Sequence, residues 1–240
     1  MAPSDRPLLE VSGLSAGYGK KPVLDDVSLT VSTGEAIAVI GHNGAGKTTL
    51  LRALFGLQDQ WAGTMHVADE KLDKTHDAAR AVELGMAFIP AEHFVFPDMT
   101  VLDNLRLSAR GLPSGERERR IAAACTTYPV LRERAHQLAG TMSGGEQRMV
   151  SLSMALMTQP RLLLLDEPSL GLAPMIVQQL MAQVRSLADE GTTVILVEQN
   201  VAAALTVATR VYVLRSGRVI RDLTVDELTA MGRERWWELF

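Results

Sequence analysis

The chain has 240 residues, 47% apolar and 22% charged, a globular balance that excludes a disordered or collagen-like chain. A length of this order buries a sizeable core without disulfide or structural-metal staples. The net charge of −4 argues against a broad nucleic-acid-binding surface. The longest apolar runs, 36–40, 162–165 and 194–197, have the length of core strands; a membrane helix needs about 20 such residues.

The opening Met1-Ala2-Pro3-Ser4-Asp5-Arg6-Pro7 lacks the apolar core of a signal peptide. The single cysteine, Cys125, cannot close an internal disulfide; it suits a reducing cytosol and reads as a small core residue. Residues 8–11 and 27–31 alternate apolar and polar, predicting half-buried strands around a loop with Gly17 and Gly19. Residues 36–40 are apolar throughout, as in a strand covered by helices on both faces. A glycine-rich stretch follows, then a helical pattern over 47–55 closed by Gly56, and a weaker strand at 64–67.

From about 100 to 157 the pattern turns helical, over 101–110, 115–126 and 146–157. Gly111, Pro113, Pro129 and Gly140 punctuate it. Strand signals return at 161–165 and 192–197, flanking a helix over 176–188. A hairpin of 211–214 and 219–221 turns at Ser216-Gly217, before a short helix. The aromatic tail of Trp236, Trp237 and Phe240 is expected to pack on the protein's own body. The prediction is an α/β core with a helical insertion, one unit over 1–240. Residues 1–90 and 160–240 would form one lobe and 91–159 the other.

Gly41-His42-Asn43-Gly44-Ala45-Gly46-Lys47-Thr48, followed by Thr49, fits G-x-x-x-x-G-K-[ST] between a buried strand and a helix. Glycines let backbone N–H groups close around phosphate oxygens, and the helix N-terminus adds positive potential. Lys47 can reach the β- and γ-phosphates, and the Thr48 hydroxyl can ligate Mg²⁺. Asp166, ending the apolar run 162–165, supplies the second metal contact, through water, and Pro168 stops the strand ladder. Glu167 beside it can polarise an attacking water as general base. The guanine-reading sequence Asn-Lys-x-Asp is absent, which makes ATP the better nucleotide. Tyr18, in the loop before the second strand, can stack on its adenine, with a half-buried loop tyrosine as the equal alternative on the residues alone.

Ser143-Gly144-Gly145-Glu146-Gln147 opens the third helical stretch with a Ser cap and Glu three residues on. A plain capped helix explains Ser143 and Glu146 but leaves the glycine pair over. With these motifs in this order, the chain resembles the ATP-binding cassette (ABC) transporter ATPases over nearly its whole length. The resemblance implies a P-loop NTPase fold with a parallel-sheet core, an N-terminal antiparallel β part and a helical subdomain. It also implies that two cassettes sandwich two ATP molecules with Mg²⁺. Ser143, Gly144, Gly145 and Glu146 of one cassette would then cap the phosphates held at Lys47 of the other.

Finer stretches at 96–101, 139–142, 168–174 and 197–200 are similar to the second ATPase of branched-chain amino acid importers and related urea or amide systems. That resemblance implies a second ATPase subunit or a homodimer, two transmembrane permeases and, indirectly, a solute-binding protein. The place implied is the cytoplasmic face of the membrane.

Two positions depart from the wider family. Gln199 stands where most cassettes carry a histidine that contacts the γ-phosphate, although the subfamily shares the glutamine. Gln can hydrogen-bond a phosphate but cannot take up charge. Ala91 stands where the family places a Gln or Glu that senses Mg²⁺; the alternatives are Glu92 or His93 as a one-residue-shifted substitute, or local variation with no replacement ligand. The expectation is a site that turns over more slowly than its partner's. His66, His76 and His136 lack zinc-like spacing, and Arg117, Arg119 and Arg120 read as a solvated helix face. The alternative function is a soluble ABC ATPase acting on nucleic acid, ribosomes or cluster assembly. A small-molecule kinase is disfavoured because it needs no Ser-Gly-Gly-Glu segment.

Overall fold

The computed structural model describes residues 7–92, 94–232 and 234–236. Strands β1 (Leu9–Tyr18) and β2 (Lys21–Val31) make a long hairpin. Strand β3 (Ala36–Ile40) enters a second sheet and leads to helix α1 (Lys47–Leu54). The chain then returns through β4 (Gln60–Val67) and β5 (Glu70–Leu72) to complete an antiparallel sheet in the order β2-β1-β4-β5.

Helix α2 (Ala78–Glu83) precedes β6 (Met86–Ile89). Four helices follow, α3 (Val101–Ser108), α4 (Ser114–Thr127), α5 (Pro129–Glu133) and α6 (Gly144–Leu156). The remainder is β7 (Leu162–Asp166), α7 (Pro174–Asp189), β8 (Thr193–Glu198) and α8 (Val201–Ala204), then the β9 (Arg210–Arg215) and β10 (Arg218–Thr224) hairpin and α9 (Val225–Ala230). The second sheet runs β10-β9-β3-β8-β7-β6, parallel except at β9–β10.

The period-two geometry of strands decides which way each functional group faces. Leu162 and Leu164 of β7 pack with Ile195 and Val197 of β8 on the face covered by α1 and the antiparallel sheet. Leu163 and Leu165 pack with Val194 and Leu196 on the opposite face, against α3, α6 and α7. Continuing the alternation, Asp166 falls on the α1 side and Glu198 on the helical side.

The long predicted elements sit where expected, within two residues at most ends. One loop does not. Gly17 is expected in a loop but lies inside β1, opposite Pro22. A Cβ there would come 2.1 Å from the Lys21 carbonyl oxygen and 2.6 Å from the Trp61 ring, so this glycine serves close packing. Elements β5, α2, β6, α5 and α8 carried no clear signal, being three to six residues long. Cys125 is buried in the core as expected. Trp236 packs against that core and donates to the Leu228 carbonyl at 3.1 Å; Trp237 and Phe240 lie outside the described residues.

Candidate active site

The loop from β3 to α1 is built around two glycines that tolerate no side chain. Gly46 caps α1 with a φ of 106°, in the left-handed region, and a Cβ there would meet the Leu24 Cδ2 at 2.9 Å. A Cβ on Gly41 would sit 2.3 Å from the Leu214 carbonyl oxygen. Helix α1 has no side-chain cap and no acid in its first turn, so its leading N–H groups keep their positive potential for an anion.

Lys47 follows and is only 4% exposed. Its Nζ donates to the carbonyls of Gly41 at 2.9 Å and His42 at 3.2 Å, and pairs with Glu167 Oε1 at 3.2 Å. Thr48 Oγ1 donates to Asp166 Oδ1 at 3.0 Å.

Asp166, 2% exposed, ends β7 on the α1 side as the alternation requires. Burial pushes its carboxyl upward, the Thr48 hydrogen bond opposes this, and the neighbouring Glu167 charge adds to the rise. Simple alternation would turn the next residue to the opposite face. Instead Glu167 adopts a φ of 43°, which brings its carboxylate to Lys47; its N–H donates to the Val197 carbonyl at 3.0 Å. A left-handed non-glycine backbone costs about 1–2 kcal/mol, so the surroundings must enforce it.

Tyr18, Asn43, Gly44, Gly46, Lys47, Thr48 and Glu167 come together in one cleft of about 550 Å³ that also includes Thr49. Tyr18, at the tip of the β1–β2 hairpin, leaves 46% of its surface exposed there. His42 and Ala45 line an adjoining recess with Leu214 and Ser216. Gln199 lines another recess, with Ser169, Glu198 and, again, Glu167. Glu167 is thus shared between the main cleft and the Gln199 side.

Ser143, Gly144, Gly145 and Glu146 do not line this cleft. Ser143 caps α6, and the expected capping box is complete: Glu146 Oε2 accepts from the Ser143 N–H at 2.9 Å and Oγ at 2.7 Å. Arg134 pairs with the same carboxylate at 3.2 Å. The Ser143 hydroxyl, the Ser143 N–H and Arg134 together hold the Glu146 carboxyl below its usual range.

Two buried charges escaped the sequence reading. Glu198, 2% exposed, accepts from the Ser169 N–H at 2.9 Å and Ser169 Oγ at 2.8 Å, anchoring the loop after β7. Burial pushes its carboxyl upward against those hydrogen bonds. Arg148 of α6 is 3% exposed, and burial draws its guanidinium down to about 10, so it stays charged at neutral pH. The signal available for Glu198 was the strand alternation; for Arg148, a lone charge amid the apolar face of α6.

A strand-loop-helix phosphate cradle and an acid at the end of β7, a parallel strand separated from β3 by β8, define the site of a P-loop nucleotide-binding protein. Residues 24–170 match the family "ABC transporter". BraG of Pseudomonas aeruginosa, a high-affinity branched-chain amino acid transport ATP-binding protein, is 42% identical over 213 residues, 89% of this chain and 91% of its own. LptB of Escherichia coli, a lipopolysaccharide export system ATP-binding protein, is 33% identical over 223 residues, 92% of either chain. A nucleotide-free ATP-binding cassette from an ABC transporter superposes with a TM-score of 0.86 at 23% identity, covering 97% of this chain and 98% of its own. The chain belongs to the ABC transporter family. It has the ATP-binding cassette fold and is an ATPase subunit of such a transporter.

Proposed function

We propose that the chain binds ATP with Mg²⁺ in the cleft between Tyr18 and Glu167 and hydrolyses it with Glu167 as base. This hydrolysis powers import of a branched-chain amino acid or a related small solute through partner permeases. The observation that carries the nucleotide site is the convergence of Tyr18, the uncapped α1 end, Lys47, Thr48 and Glu167 on one cleft, with Asp166 bonded to Thr48.

In this reading Tyr18 stacks on adenine, while the amides of residues 43–49 and the Lys47 ammonium take the phosphates. Thr48 and Asp166 offer hard oxygen donors 3.0 Å apart, the donor type Mg²⁺ prefers, with Asp166 acting through water. The metal supplies neutralisation of charge on the β- and γ-phosphates. Lys47 has three donors, one of them on Glu167. Phosphate oxygens compete for that donor, and a carboxylate so released is free to accept a proton from water. Gln199, beside Glu167, contributes a neutral hydrogen bond in place of a histidine's charge.

Ser143, Gly144, Gly145 and Glu146 act on the nucleotide of a second subunit, either a different ATPase or another copy. Two permeases receive the motion through the surface from Phe88 to Leu105, and a solute-binding protein takes part indirectly; no nucleic acid is involved. A groove of about 400 Å³ lined by Phe55, Val82, Phe88, Phe94 and Phe96 supports that reading, with Phe96 49% exposed. The proposed location is peripheral, on the cytoplasmic face of the membrane, and no described helix is long and apolar enough to cross one. The likeness to BraG supports the solute class.

The test is co-purification from solubilised membranes, followed by uptake in proteoliposomes. Two unlike permeases, a second ATPase and ATP-driven uptake of labelled leucine, isoleucine or valine are expected. Recovery of the chain without permeases, or ATP turnover indifferent to them, would sink the coupling.

A further inference from the structure

We propose that Arg148 is a positioning residue for ATP hydrolysis, tying the stretch after β6 to the backbone of Glu167. Its Nη1 donates to the Pro90 carbonyl at 2.9 Å, and its Nη2 to the carbonyls of Ala91 at 2.7 Å and Glu167 at 3.5 Å. The guanidinium lies over the Phe94 ring, 3.9 Å from its centroid. One planar group therefore meets three carbonyls from two segments and a ring from one of them, while its own backbone belongs to α6, five residues past the Ser143 cap.

The alternative is that Arg148 only fills space. Its Nε argues otherwise, being buried without a hydrogen-bond partner. A buried, incompletely satisfied charge is poorer filling than well-packed apolar side chains of similar volume. What the charge adds is the fork of Nη donors, whose geometry lysine cannot reproduce. Ala91 presents only a methyl group, so the link from this stretch towards the site runs through main-chain carbonyls. At the far end is Glu167, whose left-handed φ of 43° directs its carboxylate to Lys47. A carbonyl held at that residue constrains the peptide plane next to the strained torsion. Displacing Pro90, Ala91 or Phe94 therefore moves Arg148 and, through it, the base.

This rests on Glu167 being the base, and the test separates the two. The purified full chain is compared with Arg148→Met, Arg148→Lys and Glu167→Gln for melting temperature, affinity for a fluorescent ATP analogue, steady-state turnover and amide exchange. For Arg148→Met, the expected result is a cooperative melt, nucleotide affinity within about twofold and kcat lowered about tenfold or more. Exchange should quicken over 94–97 and 167–170, and Arg148→Lys, serving a single carbonyl, should regain part of the rate. Turnover within about twofold in folded Arg148→Met, or loss of binding and turnover in equal measure, overturns the proposal. If Glu167→Gln hydrolyses ATP normally, Glu167 is not the base. Arg148 is then judged on exchange alone, and unchanged exchange at 167–170 overturns the tether.

Discussion

Two helices in this molecule begin at glycine-rich segments and end up with opposite electrostatics. Helix α1 starts after Gly46 with no side-chain cap and no acid in its first turn. Helix α6 starts after Ser143 with a complete capping box, its Glu146 carboxylate held by the Ser143 N–H and hydroxyl and by Arg134. Both helices carry the same macrodipole. In α1 the positive end is left to an external anion and reinforced by Lys47. In α6 it is neutralised from within by Glu146. An N-terminus that binds phosphate unaided is one where the sequence withholds a cap. A capped one can take part only when another surface brings the phosphate to it. The proposed division of labour between one subunit's cradle and another's Ser143 end rests on this difference in capping.

The largest effect should come from disabling the open end's chemistry. In the purified chain without a different ATPase subunit, Glu167→Gln is expected to lower phosphate release by about 10²–10⁴-fold while ATP still binds, since general-base catalysis is worth that much. In a complex with a different ATPase subunit, the matching change in the partner should cost more activity than this one. Loss of nearly all activity from Glu167→Gln, with the partner's variant still active, would contradict the slower turnover expected from Ala91 and Gln199. Next in size is Lys47→Ala, which strips the cradle of its ammonium. Charge-assisted hydrogen bonds are worth about 1.5–3 kcal/mol, so calorimetric ATP affinity should fall roughly 10- to 150-fold. Undiminished affinity would mean that the helix end and glycine loop suffice alone.

Much of this contrast was legible in the residues. The buried strand β3 and the helix that starts at Lys47 after the glycine loop were legible because each is local, and the Ser143–Glu146 box is a contact three residues apart. The places the sequence reading missed are long-range. Gly17 is required by Lys21 and by Trp61, which arrives from β4, so it looked like a loop glycine. Glu198 was passed over within a motif because its partner, Ser169, lies 29 residues upstream. Arg148 reaches carbonyls 57 and 58 residues away, and main-chain acceptors leave no trace in side-chain identity. The turn of Glu167 towards Lys47 depends on a torsion that strand alternation predicts the wrong way.

Smaller changes sharpen the comparison at the capped end. Ser143→Ala removes the cap, for which about 1 kcal/mol is typical. For a chain of this length that lowers the melting temperature by roughly 2–4 °C. Nucleotide affinity of the isolated chain should not move, because Ser143 does not line its cleft. A fall in affinity matching that of Lys47→Ala would erase the distinction between the two ends.

The smallest test is a difference in sign. Asp166, near the open end, has its carboxyl raised above 3.8 chiefly by burial; Glu146, at the capped end, has its own lowered below 4.5 chiefly by the Ser143 hydroxyl. A carboxyl raised by folding contributes stability that is complete below its unfolded pKa and is lost as pH rises through the folded value. A lowered one contributes stability present above its unfolded pKa and lost as pH falls through the folded value. Asn at 166 keeps an acceptor for Thr48 but cannot ionise, so Asp166→Asn should gain stability relative to the parent as pH rises from below 4 towards neutrality. Glu146→Gln should be least stable relative to the parent at neutral pH, the gap closing as pH falls below about 4.5. Melting curves of the three proteins across that range, without nucleotide, decide it. Two differences of the same sign would mean that the open end and the capped end do not hold their carboxylates in opposite ways.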